Sequence, residues 1–209
     1  MANITGEHGY DASVPHRLLD AAELLLARDG ARAMTVRDVL SHADVANASA
    51  VSYYFGGKAG LVEAVERRAI ERVESARAET LDALLARHAD PSADDLVRAY
   101  IAPIVLQRTV RRGAFTATTY TRLFEQPQSQ WDDNGSAAVM RLTTRYIEAT
   151  RHLLPQADDH QILWRWQCVT AQACWYALGY LDIFAEPDEA QVRADLESLV
   201  RSGAATLLA

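Results

Sequence analysis

Between residues 47 and 58 the chain gathers side chains suited to hydrogen bonding with phosphates and with the polar edges of bases. Asn47, Ser49, Ser52, Tyr53 and Tyr54 offer amide and hydroxyl groups, and Lys58 adds an ammonium. Thr35 and Arg37 stand a short way upstream. Hydroxyls on a short helix reach backbone oxygens or base edges. A lysine at a helix start joins its charge to the free backbone N–H groups there, which suits a phosphate. The stretch Ala48–Tyr54 holds neither Arg nor Lys, so a bidentate Arg–guanine contact is not available from it. Affinity would then rest on Lys58, Arg37, Arg32 and Arg17, and sequence preference on Ser and Tyr contacts and on DNA shape. The bland alternative for Tyr53-Tyr54-Phe55 is a core aromatic cluster. Phe55 is expected in the core, whereas tandem tyrosines at an exposed helix end call for a partner.

The elements that must position these residues can be read from spacing. Residues 1–12 read as a mobile arm. A helix opens at Ser13 as cap with Pro15 in its first turn, places Val14, Leu18, Ala22 and Leu25 on one face, and ends at Gly30. Thr35-Val36-Arg37-Asp38 is a capping box for a short second helix, with Val36, Val39 and Leu40 turned inward. Asp44 and Asn47 mark a turn and a new cap, and a third short helix is predicted over Ala48–Tyr54, with Ala48, Val51 and Phe55 on its apolar side. Gly56-Gly57 stops it. A long helix starts at Lys58 or Ala59, with Leu61, Val65, Ala69, Val73 and Ala76 in helical register. Three helices with two short final members are the geometry that presents one helix to a DNA major groove.

Asp90-Pro91-Ser92 breaks the chain, and Ser92 caps a helix that Pro103 should kink. Gly113, Pro127 and Asp132-Asp133-Asn134-Gly135 divide the middle region. Helices are predicted over about Ser136–Leu154, from an Asp158 cap to about Phe184, and over about Asp188–Leu207, the last with Val192, Leu196, Leu199 and Val200 on one face. No charge occurs between Arg165 and Asp182, so that helix has to bury two sides, one in its own domain and one on a partner; Ala171, Ala173, Ala177 and Gly179 would allow close approach. No stretch alternates as a strand does. The fold class is therefore all-α: an N-terminal three-helix helix-turn-helix domain (residues 13–58) and a larger C-terminal helical ligand-binding and dimerisation domain (residues 59–209).

Composition narrows the function. The chain has 209 residues, 49% of them hydrophobic, and a formal net charge of −7. That excludes a protein that coats nucleic acid non-specifically, yet leaves room for a local basic face. Cys168 and Cys174 are six apart, on opposite sides of a helix, and match no zinc spacing. His88, His152 and His160 show no metal spacing either. No secretory signal or bilayer-length apolar run is present, so a reduced, cytoplasmic setting is expected, with no metal and no cofactor. Two other classes have less support in the residues. A small α-helical enzyme lacks a nucleophile elbow, a phosphate loop and a paired acid and base, and Asp94-Asp95 and Asp158-Asp159 sit where helix caps are needed. A DNA-tethered adaptor would show an exposed apolar patch away from a dimer seam.

Three runs then carry a family resemblance: Arg17-Leu-Leu-Asp-Ala-Ala-Glu-Leu-Leu-Leu followed by Gly30; Thr35-Val-Arg-Asp-Val; and Val51-Ser-Tyr-Tyr-Phe-Gly-Gly-Lys-Ala-Gly-Leu61. Together they resemble the DNA-binding domain of the TetR family, in the branch ending V-N-Y-H-F-G-G-K-E-G-L. The resemblance implies that Thr35 and Arg37 lie near the DNA backbone, that Ser49, Ser52, Tyr53 and Tyr54 face DNA, and that Lys58 binds a phosphate. It implies a homodimer through the last two helices (about 158–184 and 188–207), a palindromic operator, and repression relieved by a small-molecule effector. Leu153-Leu-Pro and Ile162-Leu-Trp-Arg-Trp are similar to the C-terminal domain of that branch. The chain departs from the pattern in three ways, one of them the absence of Arg and Lys from Ala48–Tyr54. Asp44 stands where the family has a turn glycine, although Asp tolerates the left-handed region better than most residues. Val45–Tyr53 is one residue longer than usual, which leaves Asn47, Ala48 and Ser49 as alternatives for the recognition positions. An effector pocket needs apolar walls with a few polar handles. Its candidates are Tyr100, Phe115, Tyr120, Phe124, Trp131, Trp164, Gln167, Cys168, Trp175 and Tyr176, each of which could equally be plain core.

Overall fold

The computed structural model describes residues 13–109, 133–177 and 187–209. Among these residues there is no strand, and the elements are helices α1 (Val14–Ala33), α2 (Val36–His42), α3 (Ala50–Phe55), α4 (Lys58–Leu85), α5 (Ala93–Val105), α6 (Asp133–Thr150), α7 (Asp159–Ala177) and α8 (Glu189–Leu208), with a 3-10 turn over Leu106–Thr109. The chain forms two compact units, Met1–Val65 and Glu66–Ala209, dividing within α4. The expected arm at 1–12 lies outside the described residues.

In the first unit the apolar register of α1 buries Leu18, Ala22 and Leu25 completely. Gly30 interrupts α1 with φ 76, the left-handed backbone a glycine supplies without strain. Ser13 is the N-cap, but its hydroxyl pairs with Nδ1 of His16 at 2.6 Å instead of accepting from a backbone amide. Thr35 caps α2 through Asp38 N–H, which donates to its Oγ1 at 3.2 Å, while Thr35 Oγ1 donates to the Asp38 carboxylate at 2.6 Å.

The third helix starts two residues later than its spacing suggests, at Ala50. Asn47 is the reason. Its carbonyl accepts from Ala50 N–H at 3.1 Å, and its side-chain oxygen accepts from Ser49 N–H at 3.0 Å, so Ala48 and Ser49 form a turn. In consequence Ala50 joins Val51 in the core, Ala48 is exposed, and Phe55 is half-buried.

In the second unit α5 packs on α7 and α8, and α6 on α5 and α7. Their core includes Leu81, Leu96, Ile101, Ile162, Val169, Val192, Val200 and Leu207. Asp188 caps α8 by accepting from Gln191 N–H at 2.8 Å, and Asp158 with Gln161 forms a reciprocal capping box before α7. The helix predicted over 136–154 spans 133–150 instead, because the chain turns at Thr150 and Arg151, whose carbonyls accept from Leu153 and Leu154 N–H. Gly203 lets α8 close on its neighbours: a Cβ there would stand 2.8 Å from Cγ1 of Val97 and 3.4 Å from Cγ1 of Val169.

Pro103 sits inside α5 and has no N–H to give the Ala99 carbonyl. Thr80 of α4 supplies the missing donor at 2.8 Å. One residue on, Arg77 Nε donates to the Tyr100 carbonyl at 2.9 Å. Arg77 is almost wholly buried, pairs with Glu74 at 3.0 Å, and lies 3.8 Å from the centroid of the Tyr100 ring. Tyr100, Tyr146 and Trp166 form an aromatic cluster with centroids 4.7 to 5.3 Å apart. Burial pushes both phenols up from their ordinary ionisation range.

Candidate nucleic-acid interface

Thr35, Arg37, Asn47, Ser49, Ser52, Tyr53 and Tyr54 are all exposed, and Lys58 is half-buried. Tyr53 is 81% exposed and Tyr54 46%, and their rings meet edge to face with centroids 4.9 Å apart. The pair is an open aromatic surface beside hydroxyls, on a helix whose Val51 is anchored in the core. Two of the polar side chains are partly committed to the scaffold: the Thr35 hydroxyl to the α2 cap and the Asn47 carboxamide oxygen to Ser49 N–H. Arg37 carries its charge on the first turn of α2.

The turn before α3 has a definite form. Val45 N–H donates to the Leu40 carbonyl at 3.0 Å and Asp44 N–H to the Ser41 carbonyl at 3.3 Å, while Asp44 has φ 52. This pair of bonds around a left-handed residue is a Schellman cap, with Asp44 in the place glycine normally takes. The left-handed tolerance expected of Asp44 is thus used.

After α3, Gly56 and Gly57 reverse the chain with φ 70 and φ 121. Lys58 opens α4, and the Gly57 carbonyl accepts the bond from Leu61 N–H. The N–H groups of residues 58 to 60 therefore lie in the first turn, where a helix has no carbonyl of its own to offer them. Gly60 is required by contact, not by dihedral angle. A Cβ there would lie 1.9 Å from the Phe55 carbonyl oxygen, so the first turn of α4 sits directly against the end of α3. Sequence reading noticed Gly60 only as part of a motif.

The effector candidates separate into three groups. Phe115, Tyr120, Phe124 and Trp131 lie outside the described residues. Tyr100 and Tyr176 are buried, and Thr170 Oγ1 already meets the Tyr100 hydroxyl at 3.0 Å. Trp164 and Trp175 are 61% and 59% exposed, and Gln167 and the half-exposed Cys168 sit on the same helix. A groove of about 380 Å³ runs along α4 beside Arg68, Arg72, Ser75 and Glu79 and includes none of these candidates. The Arg77–Glu74 pair escaped sequence reading. Its signal was an arginine midway between Val73 and Leu81 on the inner stripe of α4, four residues from each.

Residues 18–65 match the family described as bacterial regulatory proteins, tetR family, and residues 98–206 match the tetracyclin repressor-like C-terminal domain. The chain belongs to the TetR family. It is a DNA-binding transcriptional regulator with an N-terminal helix-turn-helix and a C-terminal helical domain. The fold is shared with solved TetR-family proteins. A bacterial regulatory protein of that family from Rhodococcus RHA1 is 17% identical over 91% of this chain and 96% of its own, with a TM-score of 0.61. A TetR-like regulator from Rhodococcus sp. RHA1 is 19% identical over 92% and 96%, with a TM-score of 0.58. The fatty acid degradation regulator FadR from Bacillus halodurans is 14% identical over 96% and 97%, with a TM-score of 0.57. No curated protein matches the chain. No helix among the described residues is long and apolar enough to cross a membrane, and no group of His, Cys, Asp or Glu among them is arranged to hold a metal ion.

Proposed function

We propose that this regulator is a repressor that sits on a palindromic operator as a homodimer and is released by a small-molecule effector. The observation that carries the DNA half is the exposed Tyr53–Tyr54 pair on a helix whose inner face, Ala50 and Val51, is fixed in the core. In this reading Ser49, Ser52, Tyr53 and Tyr54 face the groove. Asn47, Thr35 and Arg37 flank it, and Lys58 with the open N-terminus of α4 holds a phosphate. The Gly56-Gly57 turn and the close approach at Gly60 support the branch with the F-G-G-K-x-G-L ending, since each glycine there has a steric reason. The working division is a DNA-binding domain over 13–58 and an effector and dimerisation domain over 59–209.

The dimer half rests on α7. Trp164, Cys168, Ala171 and Trp175 recur at helical spacing and are open or half-open, while Ile162, Trp166, Val169 and Ala173 face the core. Of the small residues expected at a seam, Ala171 is exposed, Ala173 and Ala177 are buried within their own unit, and Gly179 lies outside the described residues. Two large indoles on an outward stripe are what a helix-pair interface would cover. The effector is proposed to bind an apolar site in the C-terminal domain, drawn from the aromatic and polar candidates named above, in a cytoplasmic regulator without cofactor or catalytic activity. Footprinting on the DNA flanking its own coding region tests the proposal. Protection of a two-fold symmetric site supports it, and absence of binding at low salt refutes it.

A further inference from the structure

Arg17 was expected to contribute its charge to DNA affinity. In the structure it also makes a contact within the protein. Arg17 Nη1 donates to the Asp44 carbonyl at 3.2 Å, across 27 residues of chain. Nε of the same guanidinium is buried, while the residue as a whole is half-buried. The acceptor is not an ordinary carbonyl. Asp44 is the left-handed residue of the Schellman cap that ends α2, and the two bonds of that cap use the carbonyls of Leu40 and Ser41. The Asp44 carbonyl is outside those bonds, at the point where the chain leaves the cap and heads through Val45 and Ala46 to Asn47 and α3. A residue with a side chain is strained in that region where glycine would not be. A cross-link from α1 holds the carbonyl of that residue in one orientation.

We propose that Arg17 is a positioning residue for sequence recognition: it clamps the α2–α3 turn from α1 and so sets the orientation of the helix carrying Ser52, Tyr53 and Tyr54, without itself touching DNA. The inference rests on the reading that α3 faces the operator. Removing the clamp then weakens binding to the chosen sequence and leaves the charge contacts to phosphate as they were.

The test uses the full chain and a duplex enriched from a random pool by the wild type, with an unrelated duplex of equal length as reference. Kd is measured for wild type and Arg17→Met over a series of salt concentrations, with thermal melting alongside. The clamp predicts roughly tenfold weaker binding to the enriched duplex, as one charge-assisted hydrogen bond can provide. It also predicts little change on the reference duplex and an unaltered salt slope. A phosphate contact would instead weaken both duplexes alike and reduce the slope by about 0.9. That result overturns the proposal, as does a lower melting temperature with both affinities unchanged. If Arg17→Met does not fold, Arg17→Lys serves, because it keeps the charge and shortens the reach. Under the clamp it loses preference for the enriched duplex, and full recovery of wild-type affinity contradicts it. A wild-type chain that enriches no sequence removes the DNA-facing reading itself, and the clamp with it.

Discussion

Replacing Gly60 with alanine sets two effects against each other. Gly60 lies in the first turn of α4 without a positive φ, so helix propensity alone favours alanine by about 1 kcal/mol. The added Cβ would stand 1.9 Å from the Phe55 carbonyl oxygen, where ordinary contact begins at 3.4 Å. Phe55 O is backbone, so no rotamer change relieves the clash; the end of α3 has to move by more than an ångström. Overpacking typically costs about 1–3 kcal/mol, and an immovable neighbour places this site at the upper end. The expected net effect is a loss of about 2 kcal/mol. For a unit this small that corresponds to roughly 10 °C in melting temperature. The two units can be watched separately, since Trp131, Trp164, Trp166 and Trp175 all lie beyond Val65. Far-ultraviolet circular dichroism should acquire an early phase that tryptophan fluorescence does not follow, and operator binding should disappear within that phase. A Gly60→Ala chain that melts at or above the wild-type temperature would refute the steric reasoning and leave helix propensity as the deciding effect.

Three further outcomes are expected. At Asp44, φ 52 means that Asp44→Gly should raise stability by about 1 kcal/mol and Asp44→Ala should lower it by a similar amount, read as shifts in urea midpoint; a neutral glycine variant would contradict the strain assigned to the turn. Lys58→Met should weaken binding to all duplexes alike and reduce the salt slope by about 0.9, whereas Ser52→Ala should alter preference at one base step; an unchanged slope would remove the phosphate anchor. Tyr146 donates to the Arg77 carbonyl at 3.2 Å, so Tyr146→Phe should cost about 1 kcal/mol near neutral pH. Because burial raises the Tyr146 ionisation, the folded state keeps its proton after the unfolded phenol begins to lose it near pH 10. The resulting stability is complete below that pH and declines above it. Tyr146→Phe should therefore flatten the alkaline decline in urea stability, with Tyr100 supplying the part that remains; an unchanged decline would argue against the shift.

How much of this was legible follows from the range of the forces. The caps at Thr35, Ser92 and Asp158 were readable because each is settled within three or four residues by its own hydrogen bonds. The left-handed Asp44 was readable through the resemblance, since it stands where the family has a turn glycine. The start of α3 was not, because whether Asn47 opens a helix or a turn is decided by burial of Ala50 and Val51, and a six-residue helix shows too little of its period to choose. Arg77 was missed because its partners, Tyr100 and Tyr146, come from other helices, 23 and 69 residues away. The Arg17 contact was not legible for a similar reason: its charge is visible in the sequence, but the carbonyl it meets is made available only by the folded turn. The tyrosines were placed correctly as exposed, since they stand at the end of a short helix that closes at Phe55, although Tyr54 is three residues from the buried Val51.

The proposed function requires two copies of α3 to read one palindrome. Selection from a random duplex pool with the wild-type chain, followed by footprinting of the enriched site, tests this most directly. The palindromic reading predicts a two-fold symmetric sequence whose half-sites lie about one helical turn, or a small multiple of it, apart. It also predicts that symmetric protection is lost when Trp164 and Trp175 are both replaced by lysine. Enrichment of no sequence, or of a single asymmetric half-site bound equally well by that double variant, would contradict it.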